Sequence, residues 1–432
     1  MTVVEPIRMK TAAEEGLAAI FDAAIDSLPG TDAVGEARRK AFALIRDKGL
    51  PHRRIEAFHY TDLRSLLRSV PPLAAVAPDA VEDALVADAM LVGFTNGRLT
   101  HLPEEIEGVA FTSFTDVVAS ASSFDVAVKD DPADTVPSLN AAFATDGARI
   151  VVSKDVPAGT VIELQSVFVG EGQVHLAHRI VVEPGAEVTI VDRQSGPRLT
   201  DYLSTEVLDI AVGEGAKATL VRLQEEGDTA TRLDRLSVTL AEKADFALHA
   251  VATGAGLWRS EINLTIAGDH VNATLQGASL LKGRQHGDVT MFVDHAALHG
   301  TSKETFKAVV TDEARGVFQG KILVEPGAQK TDGKMMSNGL LLSDKADFLT
   351  KPELEIFADD VVCGHGATCG DIDETHLFYL MARGIPRHEA ERLLVAAFVE
   401  EVIDEIENEA LKEALEGRIE AWLAARSQAA AA

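Results

Sequence analysis

Apolar residues near the start of the chain recur every three or four positions, the spacing of an amphipathic helix. The stretch 12–28 carries one apolar stripe made of Leu17, Ile20, Phe21, Ala24 and Leu28. Pro29 and Gly30 break this pattern. A second stretch, 33–50, repeats it and ends at Gly49. Both stretches predict helices, since glycine and proline commonly end helical segments.

The pattern changes from about Gly147 onward, where short runs rich in β-branched residues replace the helical spacing. Each run has four to seven residues, and Gly, Pro, Asp or Glu turns separate the runs, as in ARIVVS, HRIVVEPG and AEVTIVDRQ. Many strands without intervening helices are typical of a sandwich, a barrel or a solenoid. The chain is therefore predicted to be mainly β.

One turn motif recurs within the β region and favours a solenoid. VPAGTVIEL begins at 156, VEPGAEVTI at 182, VGEGAKATL at 212 and LAEKADFAL at 240, which gives spacings of 26, 30 and 28 residues. Repeats of that size suit one turn of a parallel β-helix, whose successive strands stack about 4.8 Å apart. An immunoglobulin-like or jelly-roll sandwich with similar turns by coincidence is the alternative.

The last sixty residues return to helical spacing. Asp373 is placed to cap the helix DETHLFYLMAR, and Gly384 suits the left-handed residue that follows a helix. Pro386 opens a longer helix with an apolar face. We therefore predict an N-terminal mainly helical domain at 1–145, a β-helix core at 146–370 and a C-terminal helical domain at 371–432.

Composition and charge narrow the functional classes. Of the 432 residues, 46% are hydrophobic and 25% are charged, as in folded proteins, and the net charge of −28 disfavours nucleic acid and anionic membranes as partners. No run approaches the roughly 20 apolar residues of a membrane span, and the opening 21 residues lack the pattern of a signal peptide. Only two cysteines, Cys363 and Cys369, suggest a reducing cytoplasm.

Common nucleotide-binding and hydrolytic motifs do not account for the sequence. Residues 213–218 match the dinucleotide fingerprint formally, but a strand follows where a helix must begin to hold a pyrophosphate. No GxxxxGK[ST] loop or GxSxG elbow occurs, and His388-Glu389 lacks the second histidine of a zincin.

The glycine-rich segment 358–373 carries the candidate chemistry. Cys363 and His365 are two residues apart after a strand-like run, so both side chains should leave the same face. A thiolate and an imidazole suit iron, zinc or iron–sulfur species, but a metal centre needs four ligands. Either a partner completes the site or the pair is incidental. His295 and His299 have an ambiguous spacing, and Cys369 is expected to be a small buried residue.

Longer motifs in the same region resemble the SufB/SufD family of iron–sulfur cluster assembly proteins. The resemblance is strongest over 322–402, which contains LLLSDKADFLTKPELEIFADDV, C-x-H-G-A-T and LFYLMARGI. AVVTDEARGVFQGKI at 308–322 also fits, and RRIEAFHYTDL at 53–63 resembles the family's E-A-W-x-Y-T element with Phe58 in place of Trp. The length and the C-x-H-G-A-T form favour the SufD branch over SufB.

This resemblance implies a right-handed parallel β-helix flanked by helical domains. It implies a complex with SufB and the ATPase SufC, in the cytoplasm of a bacterium or in a plastid. It also implies that Cys363 and His365 handle iron or a nascent iron–sulfur cluster transiently at the interface with SufB. The chain would be a scaffold rather than an enzyme, with ATP hydrolysis confined to SufC. SufC would dock on the C-terminal helices through Leu377, Phe378, Tyr379, Leu380, Arg383 and Gly384.

The resemblance leaves several points open. It allows a homodimer when the chain is isolated, and Cys369 departs from the aliphatic residue usual at its position. Two alternatives remain: a SufB-like subunit that holds a cluster alone, and a β-helix carbohydrate-active enzyme, which would need clustered acids on consecutive turns.

Overall fold

A computed structural model describes residues 9–122 and 129–431. The first eight residues of the segment inspected for a signal peptide lie outside this part of the chain. The N-terminal helices are α1 (Ala12–Ala24), α2 (Asp32–Lys48), α3 (Leu63–Leu66), α4 (Phe114–Ala119) and α5 (Thr135–Phe143), with 3₁₀ turns at Ile25–Ser27, Glu56–Phe58 and Pro132–Asp134.

The first two helices confirm the sequence prediction. Thr11 caps α1 in a capping box with Glu14, in which each side chain bonds the other residue's backbone N–H. Gly49, at φ 77°, follows α2, as expected for a residue that a side chain would strain.

Strands make up most of the remaining chain. In order they are β1 (Met90–Thr95), β2 (Arg98–His101), β3 (Val109–Ser113), β4 (Ala148–Val152), β5 (Val161–Val167), β6 (Gly172–Val182), β7 (Glu187–Ser195), β8 (Tyr202–Val212), β9 (Lys217–Glu225), β10 (Thr231–Leu240), β11 (Asp245–Ala252), β12 (Leu257–Ile266), β13 (Asn272–Leu281), β14 (His286–His295), β15 (Thr301–Val310), β16 (Arg315–Val324), β17 (Asp332–Leu341), β18 (Asp347–Ile356) and β19 (Val362–Gly370).

These strands form a parallel β-solenoid. Even-numbered strands from β4 to β18 stack in one sheet and odd-numbered strands from β5 to β19 in the other, so each of about eight turns contributes one strand to each sheet. Glu187 pairs with Lys217 and Lys217 with Asp245, steps of 30 and 28 residues. The predicted solenoid is confirmed, and the sandwich alternative is wrong because consecutive strands pair with the next turn rather than with each other.

The recurrent turn motif forms one corner of the solenoid. Gly159, Gly185, Gly215 and Lys243 occupy corresponding places in the four predicted repeats, and all have positive φ, between 56° and 78°. The Gly185 N–H donates to the Glu214 carbonyl of the next turn at 3.0 Å. The corner residues thus join neighbouring turns as the strands do.

Strands, not helices, close the first end of the solenoid. β2 pairs antiparallel with β1, and β3 pairs antiparallel with β4. The N-terminal helices pack beside the sheet of even-numbered strands, where Leu203, Leu233 and Leu257 join their apolar core.

The C-terminal helices cover the outer face of the odd-numbered sheet. They are α6 (Glu374–Ala382), α7 (Arg387–Glu400) and α8 (Glu409–Ala431). Val221, Val251 and Val309 on the sheet share an apolar core with Val399 and Ile403.

The C-terminal caps agree with the sequence prediction, since Asp373 accepts from the Thr375 N–H and Gly384 has φ 88°. The three-domain division stays a prediction, although β4 starts at Ala148 and β19 ends at Gly370. No helix in the described part is long and apolar enough to cross a bilayer.

Candidate functional site

The candidate site lies at the last turn of the solenoid, formed by β18 and β19. Among the described residues, β19 pairs with β17 alone and β18 with β16 alone. Each strand therefore has one edge whose backbone N–H and C=O groups have no neighbouring strand. We call this last turn the open end.

Cys363 and His365 share one face of β19. They pair in register with Gly333 and Met335, which are buried positions of β17. Because paired residues of parallel strands point to the same side of a sheet, both side chains belong to the interior face. No further turn covers them, so Cys363 is half-buried and His365 is exposed. The common face is as the two-residue spacing predicts.

The surroundings of the Cys363 thiol disfavour its ionisation. Partial burial raises the pKa of this thiol, with Asp332 and Glu304 adding to the increase and the Gly333 backbone opposing it. The thiol thus keeps its proton at neutral pH when nothing is bound. A metal or a cationic group brought by a partner would favour the thiolate.

A polar pair lies behind Cys363 inside the solenoid. A Cβ built at Gly333 would lie 3.6 Å from Cys363 Sγ and 3.5 Å from Ser302 Oγ. Ser302 Oγ in turn lies 2.8 Å from His295 Nε2. Burial lowers the pKa of His295 to about 4, so this imidazole is neutral. His295 therefore pairs with a serine in the interior, and His299 lies apart, on the corner of the solenoid.

The open end supplies two metal ligands at most. Across residues 9–122 and 129–431, no three His, Cys, Asp or Glu side chains are grouped so as to hold a metal ion. Cys369 is on the same face of β19 as Cys363 but is exposed, so its predicted burial is wrong. The reason is the absence of a covering turn among the described residues.

The predicted docking residues divide into buried and exposed members of α6. Leu377 is buried and Leu380 is half-buried. Phe378 and Tyr379 are 72% and 56% exposed, values that are high for aromatic side chains. Arg383 stacks on the Tyr379 ring at 4.7 Å and donates to its hydroxyl at 2.6 Å, and Gly384 ends the helix.

Sequence reasoning missed the exposed Met381 on the same helix, at 41%. Its position in the run LFYLMARGI was the available signal. We call Phe378, Tyr379 and Met381 the α6 patch.

Comparison with known proteins agrees with this architecture. Residues 167–398 match the family described as SUF system FeS cluster assembly, SufBD core domain. The chain is 28% identical over 409 residues to the iron–sulfur cluster assembly protein SufD of Escherichia coli, covering 90% of this chain and 93% of that protein.

Two other relatives are similar in sequence to the chain. A SufBD family protein of Synechocystis is 28% identical over 398 residues, 85% of this chain and 86% of the relative. SufD of Bacillus subtilis is 29% identical over 245 residues, 56% of each chain. Because the family match spans more than half of the chain, the protein belongs to the SufBD core family of the SUF iron–sulfur cluster assembly system.

Proposed function

We propose that the chain is a non-catalytic scaffold subunit that works with SufB and the ATPase SufC. Cys363 and His365 form a half-site, meaning a pair of ligands that a second subunit completes. The observation that carries this proposal is their position on an unpaired last strand, facing an uncovered interior. The family's role in cluster assembly supplies the cargo, which is iron or a nascent iron–sulfur cluster.

The open end suits a partner with a similar solenoid end. Unpaired strand edges favour the addition of another strand, which satisfies their backbone groups. Ile356, Phe357 and Val362 at this end are 40%, 62% and 64% exposed, so a partner would also bury apolar surface. A partner placed there would bring its own ligands beside Cys363 and His365.

The first prediction concerns the half-site. Cys363→Ala and His365→Ala should each abolish cluster assembly by the reconstituted complex with SufB and SufC, because each removes a ligand. Assembly is measured by the visible absorption of the cluster and its transfer to an apo-ferredoxin. The circular dichroism spectrum of each variant should match that of the parent protein, since neither side chain is fully buried.

Matched controls are Cys369→Ala, an exposed cysteine of the same strand, and His376→Ala, an exposed histidine of α6. Full activity of both half-site variants would refute the proposal. A stable cluster on the lone parent chain, formed anaerobically with iron and sulfide, would instead support the SufB-like alternative.

The α6 patch is the proposed docking surface for SufC. Exposed aromatic and methionine side chains are the types that carry binding energy at interfaces. Their helix follows the open end directly along the chain, so motion of a docked ATPase would be transmitted to β19.

The second prediction follows from this surface. The double variant Phe378→Ser/Tyr379→Ser should weaken SufC binding at least about tenfold, as expected for loss of central apolar contacts. Isothermal titration calorimetry with purified SufC measures the change. Leu393→Ser removes an exposed apolar side chain from α7 and serves as the control. Equal loss of affinity in both variants would contradict specific docking through α6.

A further inference from the structure

One corner of the solenoid carries a regular column of left-handed residues. Glycine occupies the first three positions, and larger residues follow in the later turns. These are Lys243, His270, His299 and Lys330, with φ between 56° and 64°. His270 and His299 continue the turn repeat that the sequence shows only at its glycine and lysine members.

Backbone hydrogen bonds fix the column turn by turn. The Lys243 N–H donates to the Asp269 carbonyl at 2.8 Å, and the His270 N–H donates to the Leu298 carbonyl at 2.9 Å. The His299 N–H donates to the Gln329 carbonyl at 3.0 Å. Corner residues of adjacent turns are therefore held one strand spacing apart, with their side chains projecting in parallel.

The two histidines stack on each other at the surface. Their ring centroids are 4.7 Å apart and their planes differ by 8°. Both side chains are exposed. The lysines on either side are engaged elsewhere, since Lys243 lies 2.6 Å from Glu242 and Lys330 pairs with Asp360.

Two adjacent imidazoles are good ligands for first-row divalent metals. Zinc binds histidine nitrogen at about 2.0–2.1 Å, so one ion can bridge two nitrogens separated by at most about 4.2 Å. In the stack the nitrogen lone pairs of the two rings lie in parallel planes, so the exposed rings must turn about their side-chain bonds before both lone pairs point at one ion. Because the corners are rigid, little order is lost on binding, and the net charge of −28 favours an approaching cation.

The corner backbone holds the two rings in place. Earlier turns have glycine at this left-handed position, whereas Lys243 and Lys330 occupy it on either side of the two histidines. Histidine is one of the few non-glycine residues that adopt this conformation readily, so both corners accept an imidazole where the fold itself requires none.

We propose that His270 and His299 form a bidentate surface site for a divalent first-row transition metal ion, with water as the remaining ligands. The site is separate from Cys363 and His365 and needs no partner subunit. Since the ion binds two neighbouring turns only in the folded chain, it would also stabilise that part of the solenoid.

The third prediction tests this site with Zn²⁺ on the full chain carrying Cys363→Ala and His365→Ala, which removes the half-site. Calorimetric titration should show a Zn²⁺ site whose affinity falls at least about tenfold in His270→Asn and in His299→Asn. Asparagine tolerates the left-handed conformation, so the corner is preserved. His388→Asn, at an exposed histidine of α7, should leave Zn²⁺ affinity unchanged.

A spectroscopic readout identifies the ligands directly. With Cu²⁺ as the probe, electron paramagnetic resonance should show two imidazole nitrogens in this background and one in each corner variant. Absence of Zn²⁺ binding, or equal affinity in the background and in His270→Asn, would overturn the proposal. Either result would leave the half-site proposal untouched, because that site is absent from all these proteins.

Discussion

At the residue scale, contacts explain why the segment 53–63 is recognisable in the sequence. Phe58 is fully buried beneath the Arg259 guanidinium, 4.1 Å from its ring centroid. Thr61 Oγ1 lies 2.9 Å from His286 Nε2 and donates to the Asp288 carboxylate. This short segment therefore attaches the N-terminal region to the outer face of the even-numbered sheet. The aromatic ring at position 58 is needed for packing and for its cation–π contact.

The fourth prediction concerns this attachment. Phe58→Ala should lower the free energy of unfolding by about 3–5 kcal/mol, because it leaves a cavity and removes the ring beneath a buried guanidinium. Urea denaturation followed by circular dichroism measures the loss. Phe378→Ala, at an exposed ring, should change stability by less than about 0.5 kcal/mol. A Phe58→Ala protein as stable as this control would show that the segment contributes no anchoring.

At the element scale, the sequence predicted the features that depend on residues close together along the chain. Helical spacing and caps located α1, α2, α6 and α7, and repeated turns located the corner glycines. The β1–β2 hairpin has a local signal, Asn96-Gly97, that the sequence analysis did not use. The pairing of β1 with β5 and of β3 with β4 was not predictable, because those partners lie far apart along the chain. The corners at His270 and His299 escaped notice because histidine occupies the left-handed position and follows the end of the preceding strand by four residues rather than three.

The candidate site follows the same division. The two-residue spacing of Cys363 and His365 places them on one face whatever lies beyond. Whether that face is covered depends on the existence of another turn, which no local pattern encodes. That is why Cys369 was expected to be buried and is exposed.

At the scale of the whole molecule, the solenoid interior contains charged side chains. A simple alternation of inward apolar and outward polar residues along each strand would place such side chains outside. Arg222 and Arg232 lie in the interior with four buried carboxylates, Asp192, Glu206, Glu226 and Asp234. Arg222 lies 2.8 Å from both Asp192 and Asp234. These carboxyl groups outnumber the two guanidinium groups, so some of them keep a proton at a pH at which they would be ionised in water. Burial raises the pKa of Asp192 to about 7.

Two opposite effects of pH on stability follow from these buried groups. Burial lowers the pKa of His175 to about 3 and that of His295 to about 4. Below pH ~6.5 these two histidines become protonated in the unfolded chain but stay neutral in the folded chain. They therefore lower the free energy of unfolding in acid. The buried carboxyl groups with raised pKa values have the opposite effect. They stay protonated in the folded chain at a pH where they are ionised in the unfolded chain, so the free energy of unfolding falls as the pH rises. Above pH ~6.5 only the carboxyl effect remains.

The fifth prediction isolates that effect at Glu304. Its carboxyl group is fully buried, and burial raises its pKa from 4.5 to about 8 although Ser302 and its own backbone N–H oppose the increase. Its contribution is complete below the unfolded pKa and is lost as pH rises through 8, so between pH 6.5 and 8 it should cost the parent about 2 kcal/mol. Glu304→Gln should remove that part of the decline in urea titrations, whereas Glu36→Gln, at an exposed position, should retain it. The same slope in parent and Glu304→Gln proteins would mean that Glu304 is already ionised in the folded interior.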